Sequence, residues 1–367
     1  MNTQRIHPLA QLLALACCFS LILSGCGGTP AQVTPPPVTT LPPAPGAYWP
    51  TEAWRTASPE EQGMDSQKLA EMLAAIQEKH LNLDSLLVVR NGYLVSETYF
   101  GSEKGTRHEL YSCTKSFVST LIGIALDQGY IDGIDRLVID FFPQVAFANL
   151  DPQKQAMTLG DVLTMRTGLD WQEGDAAYAA MYRSPDWIKF MLDKPMALPP
   201  GSRFNYCSGC THLLSAILQA ATDMNSLDFA KKYLFEPLGI SNVSWDTDAA
   251  GIPIGGWGLQ LTPRDMAKLG YLYLREGEWE GQQIVSAGWV EAATQKHTDT
   301  GDERGYGYQW WTYPSLQAYT ALGRFGQTIF VIPSLDLVIV TTAEMDGHEE
   351  IFALIEQYIV PSVRKSP

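Results

Sequence analysis

Positive charge is in short supply in this chain. Lysine and arginine together number 25 against 40 aspartates and glutamates, a formal charge of −15, and no basic stripe or basic helix offsets the deficit. That balance excludes a nucleic-acid partner. After residue 28 no apolar run is long enough to cross a bilayer. Histidine is sparse, and His80, His108, His212, His297 and His348 show no metal spacing; His212 is expected to be a satisfied helix residue. Cysteine is sparse as well. Only Cys113, Cys207 and Cys210 lie beyond the first 28 residues, which permits one disulfide and leaves one thiol. Cys207-Ser-Gly-Cys210 spells C-x-x-C, but no second cysteine pair or histidine cluster completes a zinc site. The sequence therefore calls for no metal and no organic cofactor. It also contains no internal repeat.

What is present begins with a leader. Arg5 and His7 precede the apolar run Leu12–Leu23, too short for a comfortable span, and Leu23-Ser24-Gly25-Cys26 follows. Small residues before a cysteine resemble the lipobox of bacterial lipoproteins. That resemblance implies a signal peptide over residues 1–25, lipidation at Cys26 and an extracytoplasmic place in a bacterial cell envelope, with the membrane reached through the lipid alone. An ordinary cleaved leader is the plainer alternative. Residues 29–50 carry eight prolines and no charge, a composition that forms an extended tether, so residues 26–50 read as anchor and spacer. The body, 51–367, is long enough for a large core.

Its central stretch is 111–129. From Phe117 to Leu126 apolar residues run nearly all round a helical projection, which marks a buried helix, and Gly129 supplies a C′ stop. Ser112 and Lys115 are neighbours at i and i+3 at its start. The positive end of the helix dipole and an apolar setting both push a lysine there toward its neutral form, and a neutral lysine can take a serine's proton. The spacing alone is weak: Ser362 and Lys365 repeat it in a polar tail.

Periodicity predicts a helix over Met64–His80 capped by Asp65, and a hairpin of Leu86–Arg90 with Tyr93–Phe100 about Asn91-Gly92. Helix and loop follow to about Asp246, including Leu159–Met165, Pro185–Leu192 and Thr211–Thr222. Then come a helix over Thr262–Arg275, strands over Tyr306–Tyr313, Leu316–Leu322, Gln327–Pro333 and Leu337–Thr342, and a last helix over Glu349–Tyr358. Strands at both ends with helices between predict an α+β fold. One antiparallel sheet (about 51–110 and 255–367) is flanked by the terminal helices, and an all-helical part (about 111–254) is inserted in it.

A Ser–Lys pair needs a second proton carrier and donors for an oxyanion. Tyr206-Cys207-Ser208, on a loop opening a helix, turns a phenol and a hydroxyl to one side; Tyr313-Pro-Ser315 repeats the pattern incidentally. Gly323-Arg324-Phe325-Gly326-Gln327 forms a glycine-flanked strand edge along which a substrate can lie.

In this order and spacing, Ser112-Cys-Thr-Lys115, Tyr206-Cys-Ser208 and Arg324-Phe-Gly326 resemble the serine β-lactamase and penicillin-binding-protein superfamily. The resemblance is to its class C-like branch, which includes esterases, D-Ala-D-Ala carboxypeptidases and 6-aminohexanoate-dimer hydrolases. Leu163-Thr-Met-Arg-Thr-Gly-Leu-Asp-Trp171, Pro200-Gly-Ser-Arg-Phe204, Gly258-Leu-Gln-Leu-Thr-Pro-Arg-Asp-Met-Ala-Lys268 and Tyr306-Gly-Tyr-Gln-Trp-Trp311 extend it over about 52–360. It implies a β-lactamase/transpeptidase-like fold and an acyl-enzyme on Ser112. Lys115 and Tyr206 would handle protons, the backbone N–H groups of Ser112 and Gln327 would hold the oxyanion, and Ser208, Arg324 and Gly326 would line the substrate. The third motif departs from the family, because Phe325 stands where a hydroxyl or a glycine is usual. Peptidase, amidase or esterase action is expected ahead of β-lactam hydrolysis. A small-molecule or peptide ester or amide is the expected substrate. A catalytically silent envelope protein binding peptide or glycan in the same cleft is the alternative, and a thiol-redox role for Cys207 and Cys210 a third. Asp170, Trp171, Glu173 and Tyr178 are pocket candidates. If Ser112 and Tyr206 share a site, Cys113 and Cys207 come together, and a 113–207 disulfide is the expected pairing.

Overall fold

The computed structural model describes residues 48–364; the leader, Cys26 and most of the tether lie outside them. Helix α1 (Ser66–Glu78) starts where Asp65 caps it, the carboxylate accepting from the Gln67 N–H. It leads into strands β1 (Leu83–Arg90) and β2 (Tyr93–Tyr99). Asn91 and Gly92 join them at φ 50° and 77°, the left-handed pair that a two-residue hairpin needs.

Strand β3 (His108–Glu109) precedes a tight turn, Tyr111–Cys113, and helix α2 (Thr114–Asp127). The chain then builds α3 (Leu159–Leu163), α4 (Asp175–Tyr182), α5 (Trp187–Leu192) and α6 (Ser208–Thr222). It returns through β4 (Ser244–Trp245), β5 (Leu259–Leu261), α7 (Pro263–Leu274) and α8 (Ala287–Thr294). Strands β6 (Thr298–Asp299), β7 (Gly305–Tyr306), β8 (Trp311–Tyr313), β9 (Ala318–Gly323), β10 (Gln327–Ile332) and β11 (Leu337–Ala343) precede α9 (Glu349–Leu354).

The main sheet has eight antiparallel strands in the order β2-β1-β11-β10-β9-β8-β7-β6, so β1 from the start of the fold pairs β11 from its end, Val88 opposite Ile339. Both faces are covered, which is why these strands read as nearly continuous apolar runs. Leu86 and Val88 pack with Met72 and Ile76 of α1 and with Ile351 and Leu354 of α9. Leu87 and Val89 turn the other way, into a larger cluster with Phe117 and Leu121 of α2 and Leu213 of α6. Helix α2 lies in that second layer with no exposed face, as its apolar circumference requires.

Three expectations are corrected. The helix expected from Ser112 begins at Thr114. Tyr111 takes φ 45°, and the preceding single turn holds Ser112 clear of the helix barrel. The strand expected over Tyr306–Tyr313 is broken in two, because Gln309 is drawn into the interior. Its amide nitrogen donates to the carbonyls of Val162 and Leu163 at the end of α3, and its oxygen accepts from Thr211. The disulfide joins Cys207 to Cys210, not Cys113 to Cys207. Cys207 is the N-cap of α6 and Cys210 lies in its first turn, so their Cα atoms are 5.1 Å apart. Adjacent residues on a turn point in different directions. Cys113 therefore does not follow Ser112 toward Tyr206, and its thiol donates instead to the Gln327 carbonyl at 3.4 Å.

Non-reducing peptide mapping will find Cys207 linked to Cys210 and will find Cys113, fully buried, alkylated only after unfolding. Gly123 in α2 lies so close to Trp289 that an added Cβ would stand 2.4 Å from the indole. Gly123→Ala improves helix propensity by about 1 kcal/mol, but overpacking a closed core costs about 1–3 kcal/mol. A lower midpoint in thermal or urea denaturation is expected, opposite in sign to propensity.

Candidate active site

The small sheet β3-β5-β4 sets the entrance to the site. His108 pairs Leu261 and Glu109 pairs Gln260, and the Leu110 N–H donates to the Leu259 carbonyl just before the turn that carries Ser112. On the other side Gly323, ending β9, comes so near that a Cβ there would meet the Leu110 carbonyl at 2.2 Å. The Ser112 turn is thus wedged between two sheet edges.

Lys115, one residue into α2, is 1% exposed. Its Nζ donates to Ser112 Oγ at 2.8 Å, Ser208 Oγ at 2.9 Å and the Gly256 carbonyl at 2.8 Å. Among the described residues no carboxylate bonds to it. Burial lowers its pKa to about 8, against the field of Glu173, which favours the charged form. Removal from water is therefore the main cause of the shift expected from the sequence.

The Tyr206 ring centroid lies 4.9 Å from Lys115 Nζ, and the ring stacks on Trp311. Although its side chain keeps some solvent contact, burial pushes the phenol up, with the Ser112 hydroxyl pulling the other way. Ser208 opens α6. Its N–H donates to Glu173 Oε2 at 3.0 Å and its hydroxyl donates to Glu173 Oε1. Trp171 Nε1 and the Tyr178 hydroxyl also donate to this carboxylate, which sits at the positive end of α6. Three of the four pocket candidates therefore form one cluster behind Ser208. Asp170 is exposed and holds only its backbone N–H to the Pro195 carbonyl.

A second buried pair supports the lysine from behind. His212 Nδ1 accepts from the Gly255 N–H at 3.3 Å, which puts the proton on Nε2, 3.0 Å from Asp248 Oδ2. That fixes the segment whose next carbonyl, of Gly256, takes Lys115. Neither glycine has room for a side chain: a Cβ at Gly255 or Gly256 would meet the Thr211 or Ser208 carbonyl at 2.4 or 2.8 Å. The paired glycines were the one sequence signal for this support.

Arg324 is exposed in the turn between β9 and β10, its guanidinium 4.6 Å from the Phe325 ring centroid. Phe325 takes φ 65° and meets Tyr111 edge to face at 5.3 Å, so the aromatic lies at the site edge and not in the core. Gly326 takes φ 94°, which a side chain would resist, and its carbonyl accepts from Thr341. The Gln327 side-chain amide turns toward β11, donating to the Ala343 carbonyl at 2.7 Å. Its own carbonyl accepts from Cys113, which holds the start of β10 beside the Ser112 turn.

Ser112, Ser208, Tyr178, Trp257 and Arg324 line a cleft of ≈ 530 Å³ together with three acids, Glu109, Asp175 and Asp246. Burial raises the Glu109 carboxyl, and Asp246 raises it further. Glu109, Asp246 and Trp257 come from β3, the residue after β4 and the approach to β5, three places that no local pattern connects. Among the described residues no cluster of histidine, cysteine and acids could hold a metal.

The sequence matches the Beta-lactamase family over residues 60–358. It is 27% identical over 284 residues, 70% of this chain and 71% of the relative, to the 6-aminohexanoate-dimer hydrolase of Paenarthrobacter ureafaciens. Of solved structures, one from Bacillus anthracis with a provisional 6-aminohexanoate-dimer hydrolase assignment superposes at a TM-score of 0.68 with 25% identity, covering 78% of this chain and 80% of that one. EstCE1, a hydrolase with promiscuous acyltransferase activity, shares the fold at a TM-score of 0.68 and 16% identity, covering 82% of this chain and 99% of its own. The chain belongs to the Beta-lactamase family and is a serine hydrolase of that family.

Proposed function

We propose that this protein cleaves small linear amides, and esters of similar shape, through an acyl-enzyme on Ser112. The observation that carries this reading is the set of three oxygens around Lys115 Nζ, two of which can only accept from it. A neutral amine has two N–H donors and one lone pair. The Gly256 carbonyl can only accept. The Ser208 hydroxyl spends its own proton on Glu173 and is left to accept as well. Both N–H groups are thereby engaged, and the lone pair is left facing the Ser112 hydroxyl.

Ser112 Oγ then attacks the carbonyl carbon as its proton passes to Lys115. The N–H groups of Ser112 and Gln327 stabilise the oxyanion. Tyr206 protonates the departing nitrogen or oxygen and recovers a proton from Lys115. A water delivered on the same side then attacks the acyl carbon while Tyr206 takes its proton and hands its own to the neutral Lys115. Lys115 returns a proton to Ser112 Oγ as the acid leaves, which restores all three groups. Substrate charge follows from the lining. Arg324 suits a carboxylate, while Glu109 and Asp246, two acids with no ion pair among the described residues, suit an ammonium. An amide between amino-acid-like units with free ends meets both, in keeping with the name of the Paenarthrobacter relative. Phe325, in place of a hydroxyl, speaks against efficient β-lactam turnover. The leader, the small residues before Cys26 and the proline-rich tether support a lipid-anchored enzyme working outside the cytoplasm.

Intact-mass spectrometry after exposure to a fluorophosphonate should show a single adduct mapping to Ser112 and absent from Ser112→Ala. No adduct on folded protein would exclude the hydrolase reading. With Lys115 as base, kcat/KM should rise with pH through about 8, because the ammonium present below that pH cannot take a proton. Lys115→Ala should lose about 10²–10⁴-fold, the usual share of a general base. Glu173 favours the ammonium, so Glu173→Gln should shift the rise to lower pH while lowering the plateau; an unmoved midpoint would remove Glu173 from the network.

A further inference from the structure

The turn between β9 and β10 carries a bulky aromatic where its backbone favours glycine. Phe325 sits at φ 65°, ψ 17°, and Tyr111, the residue before the nucleophile, at φ 45°. Both are left-handed conformations that a residue with a Cβ adopts at a penalty. The two rings meet edge to face at 5.3 Å. Neither ring completes the main core, and both remain partly exposed. Two strained aromatics in mutual contact beside the Ser112 turn point to a role for their rings there.

What they do follows from the space on either side. Tyr111 lines the ≈ 530 Å³ cleft that holds Ser112, Ser208 and Arg324. It also lines a second cleft of ≈ 620 Å³, with Phe325, Gln327, His108 and Glu344. Glu109 is the other residue common to both. Tyr111 therefore stands where the two clefts adjoin, and Phe325, which lines only the second, packs against its ring. Gln327 at the start of β10 lines the second chamber, so a substrate group extending from Ser112 along that strand meets Tyr111 and Phe325.

We infer that the Tyr111–Phe325 pair is a specificity partition, confining the substrate to compact, unbranched groups around Ser112 and closing off a latent subsite for bulkier ones. The inference rests on Ser112 being the nucleophile of an ester or amide hydrolase. It assigns the wall to Tyr111, the buttress to Phe325 and the extra volume to the chamber beyond.

The test uses Phe325→Gly, which removes the ring and suits the left-handed backbone, and Phe325→Leu, which keeps bulk at the same place. Phe325→Asn, another residue at ease in that conformation, serves if the glycine variant fails to fold. Fluorophosphonate labelling and a thermal melt are run on every protein. Two ester series are then compared, one enlarging the acyl group from acetyl to diphenylacetyl on p-nitrophenol, the other enlarging the alcohol on a constant acetyl group. In one series Phe325→Gly should raise the bulky-to-compact ratio of kcat/KM by about tenfold or more, the scale on which a pocket discriminates an added group. Phe325→Leu should keep the wild-type ratio. A labelled, folded Phe325→Gly whose ratio is unchanged in both series would overturn the partition, as would a parallel loss on compact and bulky esters, which marks a purely structural ring. Failure of the wild type to label at Ser112 would overturn the hydrolase reading, and the partition with it.

Discussion

A lysine removed from water governs this structure. Lys115 is closed in by α2, α6 and the Gly255–Gly256 segment, and the surrounding chain must supply three acceptors in place of its hydration. Burial of an ammonium is tolerated only when its hydrogen bonds are replaced, and even then the neutral form gains. Each neighbour reflects that demand. Glycine at 255 and 256 lets a carbonyl come within reach, His212 and Asp248 hold that carbonyl in place, and Glu173 orients the Ser208 hydroxyl.

Lys154 provides an internal contrast. It is equally enclosed, and its Nζ donates to the carbonyls of Ala148, Leu192 and Lys194. Carbonyl oxygens have no proton to exchange, so that lysine can only tie loops together. Lys115 has two hydroxyls among its partners, one committed to Glu173 and the other on the cleft surface. The same physics of burial gives a staple in one place and, in the proposed mechanism, a proton acceptor in the other, and the partner atoms decide which.

The double-sided sheet explains how such a site is kept rigid. Because β1 pairs β11, the two ends of the fold are joined side by side within the sheet, with helices on both faces. The turn bearing Ser112 emerges from the larger face and is held between β5 and the end of β9. Three motifs far apart in the chain are brought together by strand pairing and helix packing.

Local pattern in the sequence determined a good deal. The Asp65 cap, the Asn91-Gly92 hairpin, the buried character of 114–127 and the α+β arrangement all depend on interactions within one element or on burial periodicity, which a linear chain displays. So does the i, i+3 closeness of Ser112 and Lys115. The Cys207–Cys210 bond is as local, whereas the expected 113–207 pairing extends the closeness of two side chains to their sequence neighbours, which point elsewhere. Only the tertiary structure decided which oxygens surround Lys115, that Glu173 and not Asp170 reaches Ser208, that Gln309 breaks a strand to cap α3, and that Phe325 faces Tyr111 instead of the core. These relations join segments whose approach depends on the packing of the whole fold, and no spacing along the chain encodes the direction in which a side chain leaves a turn.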